Sequence, residues 1–394
     1  MPSNNHNNNN NLNPFNPQQP AQPEFFANRK TELDAFREMA INSARLGIPS
    51  PVNFAILGTW GQGKTSLLWK FRRMLTDDLR EEMKCACIYY PLNPISAKSW
   101  DVFTAEFLHN LRSNTTSTNR ISQKIRKELA KWEPSFSLGV VGVSRKAGEE
   151  TLSMLDSLQT LWEKHLAPTG TQIAFVLLDD FHYFPLKKEE SAYLTLRTTF
   201  QELVNRKCNY ALVVTAPALL YPEIAELAEP VVRFFEPMRL KSLTVAEAKE
   251  VIEVRLKSVR SRITVRDDAI ESIAQKTGGH PYFLVYLMRE LLRALKQERV
   301  ITKELFEEAW PSIERSLGEM IFSQKFHSAT QAERRLLIEI AKSQSERVSP
   351  IDFKHIKGAP QLLSRLEKKE LLIRQERGKY SLFHPLFSEY LRRQ

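Results

Sequence analysis

The run Gly58-Thr59-Trp60-Gly61-Gln62-Gly63-Lys64-Thr65 matches the pattern G-x-x-x-x-G-K-[ST], directly after a short apolar stretch and directly before a helical one. Each residue type answers a chemical demand. Gly58, Gly61 and Gly63 let backbone N–H groups turn inward round a β-phosphate, and Lys64 brings a cation to the β- and γ-phosphates. Thr65, followed by Ser66, puts a hydroxyl at a helix N-terminus, where it can ligate Mg²⁺. Farther along, Ile173-Ala174-Phe175-Val176-Leu177-Leu178 runs straight into Asp179-Asp180. This is the Walker B pattern, with two carboxylates at the C-terminal end of a buried parallel strand, where α/β sheets take ligands. Asp179 is the candidate for holding the metal, and Asp180 for orienting or deprotonating a water that attacks a γ-phosphate. The chemistry these residues could do together is binding of ATP with Mg²⁺ and its hydrolysis.

The elements that must position them follow from the texture of the chain. Short β-branched runs alternate with longer, helically periodic charged ones, the signature of a parallel sheet with crossover helices. The expected strands are Val52–Leu57, Cys85–Tyr90, Ile173–Leu178, Tyr210–Val214 and Val232–Phe235. Residues 113–150 interrupt this rhythm with a polar linker, a basic segment and an apolar, Gly-punctuated stretch, and read as an insertion. Past Leu243 the pattern turns helical: Thr244 with Glu247 forms a capping box, further helices are expected at Asp267–Gln275, Pro281–Leu295 and Thr302–Ala309, and Trp310-Pro311 should end the series. Thr330 with Glu333 caps another helix, Ser349-Pro350 with Asp352 starts a second, Pro360–Leu371 is a third, and Arg377-Gly378 centres a hairpin over Leu372–Leu382. Three helices followed by a hairpin is the outline of a winged helix. The expected organisation is a disordered Asn/Gln/Pro-rich tail at 1–23, an ATPase core at 24–238 containing the insertion, a helical lid at 239–318 and a winged-helix domain at 319–394.

Composition narrows the partners. The chain has 394 residues, 42% of them hydrophobic, and a formal net charge of +10. From residue 321 onward there are fifteen Lys or Arg against eight Asp or Glu, so most of the excess is local. On the third helix of the expected winged helix, Leu362, Leu363, Leu366 and Leu371 would face a core, leaving Gln361, Ser364, Arg365, Lys368 and Lys369 as polar positions; the hairpin adds Arg374, Arg377 and Lys379. These eight are the candidate contacts to double-stranded DNA, the basic ones meeting phosphates and Gln361 and Ser364 reading bases. Three cysteines, Cys85, Cys87 and Cys208, are too few for a disulfide scaffold and lack zinc spacing, which points to a reducing compartment. No apolar run approaches the roughly 18 residues a membrane span needs, and no secretory signal pattern opens the chain, so the expectation is a cytoplasmic protein without a membrane partner.

The motifs together resemble those of the AAA+ ATPases and their signal-transduction relatives, the STAND class. They are most similar to the archaeal-type ATPases akin to the origin-recognition and cell-division-control initiators, over nearly all of the chain after residue 24. Phe26-Ala27-Asn28-Arg29-Lys30-Thr31-Glu32-Leu33 resembles the F-x-G-R-x-x-E-L segment, which implies Arg29 near the adenine; Asn28 stands where that family usually has Gly. Leu178-Asp179-Asp180 resembles the STAND form, and Thr277-Gly278-Gly279-His280-Pro281 resembles the G-G-x-P segment of its lid, which implies His280 near the nucleotide phosphates. The resemblance also implies a γ-phosphate sensor at Thr215 and, within a homo-oligomer, a charge reaching a neighbour's nucleotide from Arg233. Gly58 to Leu68 resembles, in addition, the G-x-W-G-x-G-K-[ST] form of the KAP ATPases, which usually carry membrane segments.

What the resemblance implies is an α/β fold: a five-stranded parallel P-loop NTPase core of AAA+/STAND type with a helical lid and a C-terminal winged helix. Asp180, with no evident sensor Arg, implies slow hydrolysis. Nucleotide state, ATP or ADP, would then switch DNA binding. The alternative is a nucleotide-controlled signalling or defence scaffold whose winged helix binds protein.

Overall fold

The computed structural model describes residues 12–46, 48–113, 153–184, 190–218, 233–295, 299–343, 345, 347–376 and 378–394. They fall into two compact units, one formed by Arg29–Gly58 with Lys64–Leu240, the other by the residues up to Asn28, Thr59–Gly63 and Lys241–Gln394. Most of the expected insertion at 113–150 lies outside the described residues.

The first unit is built on a parallel sheet of β1 (Phe54–Leu57), β2 (Cys85–Pro91), β3 (Ile173–Asp179), β4 (Tyr210–Ala216) and β5 (Glu236–Arg239), in the order β2-β3-β4-β1-β5. Helices α1 (Lys30–Arg45), α2 (Lys64–Arg73), α3 (Trp100–Ser113), α4 (Met154–Leu161) and α5 (Glu190–Asn205) connect or flank the strands. Every residue of β3 and β4 is buried, the mark of a sheet covered on both faces, and this is why those strands read as unbroken apolar runs. On one face Phe36 of α1 stacks on Phe71 of α2 with ring centroids 3.9 Å apart and meets Phe175 of β3 at 5.7 Å. On the other, Tyr90, Phe103 and Phe107 join Ala174, Val176 and Leu178 in a second cluster. The fifth strand differs from expectation. Residues 233–235 form a turn and Glu236–Arg239 pairs with β1, from Phe54↔Glu236 to Leu57↔Arg239. The apolar Phe234 and Phe235 mimic a strand, whereas the real one holds Pro237, which a sheet tolerates at an edge such as this.

The second unit continues with α6 (Val245–Ser258), the short strand β6 (Thr264–Val265), α7 (Asp267–Lys276), α8 (Pro281–Ala294), β7 (Val300–Ile301) and α9 (Lys303–Leu317). The Thr244–Glu247 capping box forms as expected. Pro311 does not end a helix, because α9 runs through it to Leu317. Phe306, Ile313 and Leu317 are buried on that helix, and apolar burial along one face outweighs the single backbone hydrogen bond that proline removes. Then come α10 (Ser323–His327), α11 (Gln331–Lys342), α12 (Ala359–Lys368), the antiparallel hairpin β8 (Leu372–Glu376) with β9 (Lys379–Leu382), and α13 (Pro385–Leu391). Between α11 and α12 the expected second helix is only the 3-10 turn Pro350–Phe353, and Val348 bridges Tyr380 beside the hairpin.

The tail expected to lack order up to residue 23 is anchored from Asn13. Phe15 is 1% exposed, Asn13 Nδ2 donates to the Arg289 carbonyl at 3.0 Å, and Arg255 donates to the Pro14 carbonyl at 3.1 Å. A single aromatic supplies what composition missed: Phe15 buries its ring beneath the Arg255 guanidinium, 5.7 Å away, and Phe25 meets the same group at 5.9 Å. Burial holds the Arg255 pKa down at about 10.

Candidate functional site

In the sheet unit, β1 ends at Leu57 and Gly58 follows, its N–H donating to the Ala216 carbonyl of β4 at 3.3 Å. Helix α2 then begins at Lys64. Lys64 Nζ donates to the Gly58 carbonyl at 2.9 Å, so the cation curls back over its own loop. Gly63 has φ +89°, and a Cβ there would meet nothing within 4 Å, which leaves open space at the position where the loop has to admit ligand atoms.

At the head of α2 the chemistry converges on β3. Thr65 Oγ1 donates to Asp179 Oδ1 at 3.2 Å, Thr215 Oγ1 donates to the same oxygen at 2.5 Å, and Tyr89 Oη donates to Asp179 Oδ2 at 3.1 Å. Strand order explains the convergence: β4 sits between β3 and β1, so Thr215 comes to lie beside the Walker B pair, as expected if β4 inserted there. Its hydroxyl is fully buried and also accepts the Asp180 N–H at 2.9 Å. Thr215 therefore holds the Asp179-Asp180 turn. Asp180 itself takes φ +55°, a left-handed conformation that Asp tolerates better than most residues, and its carboxylate is 46% exposed. That exposed carboxylate can meet water, whereas Asp179, 2% exposed, cannot do so freely. His182 Nδ1 stands 3.9 Å from Asp180 Oδ1, a neighbour that spacing alone did not reveal.

Thr65 and Asp179 are the residues here that could hold a divalent cation. The Thr65 hydroxyl spends its hydrogen on the carboxylate and keeps its lone pairs for a metal. Among the described residues no group of three or more His, Cys, Asp and Glu could hold a metal ion, so water and phosphate oxygens would complete the shell of a cation held by Thr65 and Asp179. Ser66 follows on α2, half-buried. Arg29 is 8% exposed, has φ +63° and lies 3.6 Å from Glu32. Arg233 is exposed in a turn. Cys85 and Cys87 lie on β2 with thiols pushed up to about 12 by burial, which makes them inert.

The tip of the loop, Thr59–Gly63, clusters with the second unit. His280 Nε2 donates to the Trp60 carbonyl at 3.0 Å, Tyr282 packs on the Trp60 indole with centroids 4.3 Å apart, and the Lys325 ammonium stands 4.8 Å from that indole and 4.9 Å from the Phe383 ring. Burial lowers the Lys325 pKa. Gly61 is required here, since a Cβ would lie 2.7 Å from His280 Cε1. His280 thus engages the loop backbone. Asn28 has φ +70°, a left-handed conformation that Asn adopts more readily than most residues.

Of the eight candidate DNA contacts, the structure separates two. Lys369 Nζ lies 2.7 Å from Glu333, which is 1% exposed, and donates to the Ser328 carbonyl at 3.0 Å. Arg374 lies 2.6 Å from Glu367, which is 6% exposed. Both cations pair with buried carboxylates while remaining exposed themselves. Gln361, Arg365 and Lys368 are exposed on α12 and Ser364 half-exposed, while Leu362, Leu363 and Leu366 are buried as expected. Lys379 is exposed on β9, and Arg377 lies outside the described residues.

Comparison with known structures gives the fold. The Walker-type ATPase PABY2304 of Pyrococcus abyssi matches with a TM-score of 0.62 at 16% identity, covering 96% of this chain and 99% of that one. The Aeropyrum pernix ORC2 protein in its ADPNP–ADP complexes matches at 0.63 and 14% identity, covering 97% of both chains, and its ADP form at 0.56 and 13%, covering 96% of this chain and 97% of that one. At such identities the likeness is one of fold: the α/β P-loop NTPase fold of the Orc/Cdc6 type. No curated protein matches the chain. No helix among the described residues is long and apolar enough to cross a membrane. The KAP family P-loop domain matches residues 38–277, more than half of the chain, and with its phosphate loop, Walker B pair and inserted β4 in place this protein belongs to the KAP family of P-loop NTPases.

Proposed function

We propose that the protein binds ATP with Mg²⁺, hydrolyses it slowly, and uses the nucleotide state to govern contact of a C-terminal winged helix with double-stranded DNA. The observation that carries the nucleotide part is the Thr65–Asp179 hydrogen bond of 3.2 Å at the head of α2, with Thr215 and the exposed Asp180 carboxylate beside it. Lys64 would bind the β- and γ-phosphates, Thr65 and Asp179 would hold the metal, and Asp180 would orient the attacking water. When bound, Mg²⁺ supplies charge neutralisation on the phosphate oxygens. The Asp-Asp form of the Walker B pair, with the short Asp180 side chain at the water-orienting position, supports slow turnover. The DNA part rests on the outer face of α12, where Gln361, Arg365 and Lys368 stand exposed above a buried leucine face.

Fluorescence anisotropy of a labelled duplex tests this on the full chain at two salt concentrations, without nucleotide, with ATP and Mg²⁺, and with ADP and Mg²⁺. The reading expects salt-dependent binding that changes with nucleotide, and Lys64→Ala protein that no longer responds to it. Absence of DNA binding in every state sinks the DNA part. A second reading, a nucleotide-controlled scaffold whose C-terminal module docks protein, is favoured by the pairing of Lys369 and Arg374 with buried carboxylates, which leaves that module fewer cations for phosphates.

A further inference from the structure

Tyr89 has no part in the sequence motifs, yet it closes a ring of hydrogen bonds around the metal-side carboxylate. Thr65 and Trp69 are four residues apart on α2 and so share one helix face. Thr65 reaches Asp179 Oδ1 at 3.2 Å; Trp69 Nε1 reaches Tyr89 Oη at 3.2 Å, and Tyr89 Oη in turn reaches Asp179 Oδ2 at 3.1 Å. An indole nitrogen can only donate, so the Tyr89 oxygen accepts from Trp69 and its own hydrogen is committed to the carboxylate. The Arg72 guanidinium lies over the phenol ring, 5.4 Å from its centroid. Burial and the adjacent Asp179 raise the Tyr89 pKa, so the hydroxyl stays protonated.

The two oxygens of Asp179 are held unequally. Oδ1 accepts from Thr65, from Thr215 and from the Asp180 N–H at 3.2 Å, while the described contact to Oδ2 comes from Tyr89. We propose that Tyr89, oriented by Trp69, is a positioning residue that sets the rotation of the Asp179 carboxylate and so the affinity of this nucleotide site for Mg²⁺. The proposal rests on the reading of Thr65 and Asp179 as the metal-holding pair. A hydroxyl donated to a metal-side carboxylate fixes which lone pair remains for the metal or its water, and partners of this kind typically change metal affinity by roughly tenfold or more when removed.

The test measures Mg²⁺ affinity apart from turnover. A fluorescent MANT-ADP probe is bound to the full chain and titrated with Mg²⁺, and its affinity is also measured in EDTA. Tyr89→Phe keeps the ring under Arg72 and removes only the hydroxyl; it should raise the Mg²⁺ concentration for half-saturation by about tenfold and leave metal-free affinity within about twofold. Trp69→Phe should shift it in the same direction by less. Tyr90→Phe is the control: its hydroxyl bonds Ser96 and Glu106 on the other face of the sheet, and it should change nothing in the titration. An unchanged Mg²⁺ half-saturation in Tyr89→Phe, or an equal loss of metal-free affinity, overturns the proposal while leaving nucleotide binding intact. A wild-type chain that binds no MANT-ADP overturns the nucleotide reading beneath it, a distinct result.

Discussion

His384 donates its Nε2 hydrogen to the Thr277 carbonyl at 2.8 Å, while its Nδ1 accepts the Leu386 N–H that starts α13. Both nitrogens are used by the neutral ring, and the residue is 4% exposed. The only way to charge it is to protonate Nδ1 and break the cap. Burial accordingly depresses its pKa to about 4. The unfolded chain binds this proton more readily than the folded one, so the contribution is complete above the unfolded pKa of about 6.5 and is lost as pH falls toward 4. It amounts to about 3 kcal/mol at most. Urea unfolding from pH 7.5 to 4.5 should show this loss, and His384→Gln should flatten the curve between pH 6.5 and 4.5. An equally steep curve in the variant would assign the loss to other groups, of which His280, with its ring 5.6 Å away, is the nearest imidazole described.

Asp180→Asn isolates chemistry from backbone. Asn accepts the left-handed φ of +55° as readily as Asp, so the turn stays intact, whereas Ala would add strain. Single-turnover hydrolysis should fall by about 10²-fold with nucleotide affinity within about twofold. Unchanged turnover would remove Asp180 from the water-orienting role.

Charge on the C-terminal module divides into two kinds, and salt dependence tells them apart. If duplex DNA binds there, Arg365→Ala and Lys368→Ala should each reduce the slope of log affinity against log salt by about one. Lys369→Met should leave that slope alone and instead lower stability by about 2 kcal/mol, because Glu333 would stay buried with the Thr330 N–H but without its counter-ion. A Lys369→Met protein of normal melting temperature and reduced slope would reverse this assignment.

Backbone space sets the last prediction. A Cβ on Gly279 would fall 1.9 Å from the Leu243 carbonyl oxygen, and φ there is +64°. Gly279→Ala should cost about 3 kcal/mol or more in chemical denaturation. Asn28→Gly, at φ +70°, should change stability by less than about 1 kcal/mol. A Gly279→Ala loss no larger than the roughly 1–2 kcal/mol of left-handed strain alone would show that the Leu243 contact does not govern Gly279.

Local patterns were legible and long-range ones were not. Gly58 to Thr65 and Asp179-Asp180 declare themselves because neighbours in sequence do the work, and the burial of β3 follows from its own apolar run. Tyr89 does not, since its partnership with Asp179 comes from the register of β2 on β3, in which Tyr89 pairs with Leu177 and Pro91 with Asp179. Strand β5 was misplaced because Glu236-Pro237-Met238-Arg239 has no β-branched residue, and only pairing with β1 makes it a strand. Lys369 looks like a solvated cation in sequence, because Glu333 is 36 residues away in the chain.

The family match ends at residue 277, and His280, Tyr282 and Lys325 all come after it. These side chains meet the Trp60 carbonyl and indole at the tip of the phosphate loop. The segment that defines the family is therefore not self-sufficient in this protein: a fragment trimmed at that boundary would keep the loop's sequence and lose the side chains that brace its tip. Trp60, with a lysine and a tyrosine against its indole, also gives the loop an optical signature that such trimming would alter.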